Sequence, residues 1–207
     1  MSSVPLSILD RANTRMVDHQ PVDAAAILRE VTERAQAAEA LGYRRFWVAE
    51  HHSVPGIVGS TPTLLLAHLA SATTSIRLGT GGIMVPSHQP LVIAEQIATL
   101  QALYGSRIEA GLGASVGFTK PVRKALRQSA DAKDHFFDDV AELVSYLDDT
   151  AIVTAYPQDH GRTDLYILTG GGSAEFSAKH GTGLVLCGPA VTRGLEQTEE
   201  RSPAVQQ

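Results

Sequence analysis

The chain is poor in three things, and each shortage removes a class of protein. Cys187 is the single cysteine among 207 residues, so no internal disulfide can form. Set in the apolar run "GLVLCG", it reads as a buried thiol of a reducing compartment. No apolar run approaches the roughly 20 residues that span a bilayer. The opening "MSSVPLSILDRANTR" has no charged n-region and reaches Asp10 too early for a signal peptide. A cytoplasmic protein without a membrane partner is expected. Surplus positive charge is missing too. The formal net charge is -5, and no basic stripe is available to neutralise phosphates, which argues against a nucleic-acid partner. The remaining composition, 43% hydrophobic and 19% charged, is that of one soluble globular domain.

Short apolar runs alternate with amphipathic stretches along this chain. Strands are expected at "PLSIL", "RRFWVAE", "IRLGTGGIMV", "RIEAGLG", "DLYILTGGG" and "GLVLCG". Between them, "DAAAILREVTERAQAAEALG" repeats Ile27, Val31, Ala35, Ala38 and Leu41 at helical spacing, with Gly42 at the C-terminal cap. "TPTLLLAHLASAT" opens on Thr61 as N-cap and Pro62 in the first turn. "PLVIAEQIATLQALYG", "HFFDDVAELVSYLDD" and "SAEFSAKHG" complete the helices, and "PAVTRGLEQTEERSPAVQQ" reads as a polar tail. Six strands separated by helices imply a parallel α/β sheet with right-handed crossovers. An open doubly wound sheet and a (β/α)8 barrel both remain open at this point. A closed barrel takes roughly 250 residues, so a barrel plan would be an incomplete one. Either way, ligands belong at the carboxyl ends of the strands.

"FWVAEHHSVPG" places Glu50, His51 and His52 at such an end. Successive strand residues face opposite sides, so the two histidines make a poor metal pair, and no metal is expected. A histidine that titrates near neutrality suits acid/base chemistry. His51 is then expected to face the cleft, and His52 to bond loop backbone or lie against a helix. "GTGG" (79–82) runs on into a strand, which suits a bulge or the close approach of a flat ligand. "TGGGS" (169–173) leads into a helix and could present backbone N–H groups to a phosphate, or be a plain capped turn. "GASVG" (113–117) matches the nucleophile-elbow pattern around Ser115, with Asp148, Asp149 or Asp159 and His160 or His180 as partners.

Taken in order, "LSILD", "ALGYRRFWVAEHH", "RLGTGGIMVPSHQPLVIAEQIATLQAL", "RIEAGLG" and "LYILTGGGSAEFSAKHGTGLVLCG" resemble the bacterial luciferase-like flavin-dependent monooxygenases. The stretch with Pro86, His88, Pro90, Glu95 and Gln96 is the most specific. The resemblance implies a TIM-barrel-like (β/α)8 relative, here an incomplete barrel of about six parallel strands over residues 1–188, with a tail at 189–207. It implies reduced FMN from a separate flavin reductase, oxygenation of a small organic substrate, and a homodimer. His51 would be catalytic, with Glu50 beside it. Gly81 and Gly82 would lie under the flavin ring, Gly113 and Ala114 at the end of the fourth strand, and Gly171, Gly172 and Ser173 at the phosphate. Ala114 stands where the family commonly has an arginine for that phosphate. Two alternatives accompany this reading: a non-catalytic barrel remnant that binds flavin or another planar ligand, and a serine hydrolase built on Ser115.

Overall fold

The computed structural model describes residues 4–158, 161–168 and 172–186. Cys187, Gly171, Asp159, His160 and the expected tail lie outside the described residues. Six strands form one parallel sheet: β1 (Ser7–Asp10), β4 (Arg45–Val48), β5 (Arg77–Met84), β6 (Ile108–Gly113), β7 (Asp164–Leu168) and β8 (Gly183–Val185). They neighbour one another in chain order, β1-β4-β5-β6-β7-β8. This is the half-barrel alternative; a doubly wound sheet would reverse its strand order part-way. A two-stranded hairpin, β2 (Met16–Val17) with β3 (Gln20–Pro21), follows β1 outside the sheet.

Helices α1 (Ala24–Ala40), α2 (Pro62–Ala72), α3 (Pro90–Tyr104), α4 (Lys120–Ala125), α5 (Phe136–Leu147) and α6 (Ser173–His180) fill the crossovers. Asp23 caps α1, its side chain accepting from the Ala26 amide. Thr61 occupies the N-cap of α2, but its side chain makes no capping bond. The core lies between sheet and helices in two clusters. One joins Ile27, Val31, Phe46, Leu66, Leu69 and Leu78. The other joins Ile83, Ile93, Ile97, Leu112, Val140, Leu143 and Ile167. Glu39 closes α1 onto the start of β5: its carboxylate accepts from the Thr74, Ser75 and Ile76 amides at 2.9, 2.6 and 2.9 Å. Burial alone would raise its pKa, yet these three donors hold it at about 2.

The other face of the sheet is layered. At the amino ends of the strands, Glu109 is fully enclosed and accepts from Arg45 Nε at 2.8 and 2.9 Å, from Arg77 Nε, and from Trp47 Nε1 at 2.7 Å. Above this charged floor Trp47 lies across Gly79, whose Cβ, if present, would stand 2.4 Å from Trp47 Nε1. Tyr166 meets Trp47 edge-on at 5.3 Å. Polar groups thus close the bottom of the half-barrel, and chemistry is left to the carboxyl ends.

Candidate functional site

β4 delivers its last residues to that carboxyl end. Glu50 is only 3% exposed, and its carboxylate is fully engaged. Oε1 lies 2.5 Å from His52 Nε2 and 2.7 Å from His88 Nε2, while Oε2 accepts the Met84 amide at 2.9 Å. An ionised carboxylate only accepts, so both histidines must carry their proton on Nε2. Burial pushes the Glu50 pKa up, but the bond and charge of His88, the Met84 amide and His52 outweigh it and leave it lowered. Glu50 thereby ties the end of β4 to the end of β5 and to the turn that carries His88.

This corrects the expectation for His52, which bonds the Glu50 side chain and not loop backbone. The strand has ended at Val48, so strict alternation no longer governs the residues beyond it. The structure also gathers three groups that could ligate a metal, Glu50, His52 and His88, within 4.8 Å of one another. Both histidine nitrogens converge on one oxygen at hydrogen-bond distance. Two ligands of one zinc-like ion, each about 2.0–2.2 Å from it, would stand roughly 3.3 Å apart. The arrangement is a hydrogen-bonded clamp. His88 was visible in the sequence only as part of a motif; nothing in its spacing announced that it would meet Glu50 across 38 residues.

His51 behaves differently. Its amide bonds the Gly59 carbonyl at 2.9 Å, which fixes its backbone. Its ring runs parallel to that of Phe118, centroids 6.4 Å apart and planes 4° from parallel. Nδ1 is buried and has no hydrogen-bond partner among the described residues. Burial first, and then the Arg11 charge, lower the His51 pKa against the opposing pull of Glu50. The ring is therefore neutral at pH 7 and can accept a proton. Phe118 comes from the loop after β6, and Gln128 staples that loop down: it accepts from the Gly117 amide at 3.2 Å and donates to Ser87 Oγ at 2.8 Å. Arg123 Nε holds the Gly117 carbonyl at 2.7 Å.

Gly81 and Gly82 are partly exposed in the second half of β5, ahead of its buried last residues Ile83 and Met84; there the pairing with β6 shifts register and the peptide between the glycines is cis. Gly113 ends β6 with open space beside it; a Cβ there would meet nothing closer than the Ile83 carbonyl at 3.7 Å. Ala114 is half-buried against the second apolar cluster. Gly172, at φ +78°, precedes Ser173 at the start of α6. Ser115 is exposed after β6, whereas Asp148 and His180 stand at the C-terminal ends of α5 and α6. In a parallel sheet those are opposite ends, so the described residues assemble no serine triad.

A parallel half-barrel with a histidine and glycines near the carboxyl ends of its strands is a TIM-barrel-like arrangement. Residues 10–200 match the family described as luciferase-like monooxygenase. The "Luciferase-like monooxygenase" of Escherichia coli (strain K12) is 42% identical over 138 residues, covering 64% of this chain and 41% of that protein. The crystal structure of apo-MsnO8 superposes with a TM-score of 0.78 at 36% identity, over 88% of this chain and 54% of the other. A type II Baeyer–Villiger monooxygenase from Pseudomonas putida, solved in complex with FMN, shares the fold at 14% identity with a TM-score of 0.75, over 100% and 64% of the two chains. The chain belongs to the luciferase-like monooxygenase family. It spans about half the length of the curated relatives it matches. No helix among the described residues is long and apolar enough to cross a membrane.

Proposed function

We propose that this chain carries the acid/base half of a reduced-FMN-dependent monooxygenase acting on a small organic molecule. The observation that carries it is His51 Nδ1: a buried, neutral ring nitrogen with no hydrogen-bond partner among the described residues, at the carboxyl end of a barrel strand. The strand ends fit a flavin. Gly81, Gly82 and Gly113 leave partly exposed backbone without side chains, and Gly172 and Ser173 open a helix toward a phosphate. FMN bound there supplies electrons from its reduced ring to dioxygen; a separate reductase would reload it. The Glu50 carboxylate is taken up by His52, His88 and the Met84 amide. It positions: the clamp on His52, His88 and Met84 fixes the backbone on which His51 and the β5 glycines sit. His51 accepts or returns a proton of the substrate or its water, and Phe118 shields that exchange from solvent.

Oxygen uptake with photoreduced FMN tests the reading, with flavin retention measured on the same preparation. Substrate-dependent uptake supports it. Flavin bound without any turnover would instead favour the non-catalytic barrel.

A further inference from the structure

The loop after β6 turns back on itself, and its residues say how. Thr119 caps α4, its side chain accepting the Val122 amide, and Pro121 stands in the first turn. At the other end the Arg127 amide bonds the Lys124 carbonyl at 3.1 Å, and the Gln128 amide bonds the Arg123 carbonyl at 3.0 Å. These are the two bonds of a Schellman turn. Such a turn needs a left-handed residue, and Arg127 takes that conformation at φ +55° although it is not glycine. The chain is thereby reversed, and Gln128 returns to where the loop began.

There it meets Gly117, whose amide donates to Gln128 Oε1 at 3.2 Å and whose carbonyl accepts from Arg123 Nε at 2.7 Å. A Cβ on Gly117 would stand 2.9 Å from Val122 Cγ1, so α4 could not come this close to another residue. With Gly117 and Thr119 both held, Phe118 between them has a set direction. Of the five phenylalanines, Phe46 and Phe136 are buried and Phe137 and Phe176 pack on the second cluster, while Phe118 is 65% exposed. It lies on the His51 ring instead of in the core. The other end of the Gln128 amide donates to Ser87 Oγ at 2.8 Å. Ser87 closes the short turn Val85–Ser87, and His88, the next residue, reaches Glu50 beside His51. The contacts make a ring that starts and ends at His51, and Gln128 joins its two halves.

Closing the loop would need only the bond to Gly117. The bond to Ser87 fixes the loop relative to β5 and the Glu50 clamp, and so relative to the imidazole. We propose that Gln128 is a positioning residue for His51: it sets the Phe118 ring against the imidazole and locks that contact to the turn that leads into His88. Apolar cover displaces water from the imidazole and disfavours its charged form, which keeps His51 ready to accept a proton. The groups whose charge reaches the ring are Arg11, Glu50 and His52. They come from the ends of β1 and β4, and Gln128 itself is neutral. The proposal rests on the reading of His51 given above, and names what holds that group in its working state.

Proton NMR of the histidine rings tests it, with the His51 signals assigned by their loss in His51→Gln. Wild type should show a nuclear Overhauser effect between the Phe118 and His51 rings and a His51 midpoint below 6.5. Phe118→Ala should raise that midpoint toward 6.5. Gln128→Ala should raise it too, and should weaken the Overhauser effect. The double variant should titrate like Phe118→Ala alone, because Gln128 acts through the ring. Ser87→Ala, which keeps the Gly117 bond, should move the midpoint the same way by less, and it carries the test if Gln128→Ala does not fold. The proposal is overturned by a wild type without the Overhauser effect or with a midpoint at or above 6.5. A rise from Gln128→Ala that persists undiminished in the Phe118→Ala background overturns it as well. So does a lower melting temperature with an unmoved midpoint, which would assign Gln128 to the fold alone. Neither flavin nor turnover enters these titrations, so failure of the oxygenase reading would leave their outcome unchanged.

Discussion

At the scale of the residue, Glu50 and His51 are adjacent and have opposite surroundings. Glu50 has three donors and no exposure to speak of; His51 has a buried nitrogen with no partner among the described residues. Both have lowered pKa values, so both bind protons more readily in the unfolded chain. The sign is the same for each: stability is intact above the unfolded value and is lost as pH falls toward the folded one. For His51 the loss starts below 6.5, and for Glu50 below 4.5. Glu50→Gln leaves one amide oxygen for three donors and should cost about 1.5–3 kcal/mol at pH 7. Urea denaturation at pH 7 and pH 4 checks this, and the variant should lack the wild type's Glu50-dependent loss at acid pH. An unchanged midpoint at pH 7 would contradict the clamp. Ala114→Arg restores a charge at the end of β6 and should tighten FMN binding about ten- to a hundredfold, as read by flavin fluorescence. No gain would count against placing the phosphate near Ala114.

The element that most constrains the site is β6. Thr80 Oγ1 on β5 donates to the Gly111 carbonyl at 2.8 Å and accepts the Gly111 amide at 2.9 Å. A Cβ at Gly111 would lie 2.2 Å from the Thr80 carbonyl, a backbone atom that cannot swing aside. Gly111→Ala should therefore cost about 3 kcal/mol or more, whereas Gly113→Ala meets only ordinary contact and should cost under about 1 kcal/mol. Equal melting temperatures for the two variants would refute this geometry. The six strands and five of the helices were legible, because apolar period and end signals such as Pro62 and Gly42 act locally. The hairpin at Met16–Pro21 was not: its turn places Asp18 and His19 at φ +49° and +61° without a glycine to signal it. α4 was missed although Thr119 before Pro121 is a start signal; six residues carry too little period to register. His51 was legible as a strand-end histidine, but the His88 contact depends on which strands become neighbours.

For the whole molecule, the half-barrel works because its two ends are built differently. The floor is a charge network on an enclosed carboxylate, Glu109, shared by Arg45, Arg77 and Trp47. Glu109→Gln leaves two arginines facing a neutral group and should cost about 3–5 kcal/mol without altering His51 chemistry directly. Equilibrium unfolding would reveal it, and a neutral result would mean that solvent satisfies the arginines. The opposite end concentrates the titrating histidine, the glycine-lined strand ends and the stapled Phe118 loop. The central claim is that this end performs proton transfer through His51. Its most direct test is the rate of reduced-FMN-dependent oxygenation by His51→Ala and wild type, with melting temperatures measured in parallel. A fall in kcat of about 10²–10⁴-fold at nearly unchanged melting temperature is expected; full activity in His51→Ala would contradict the account.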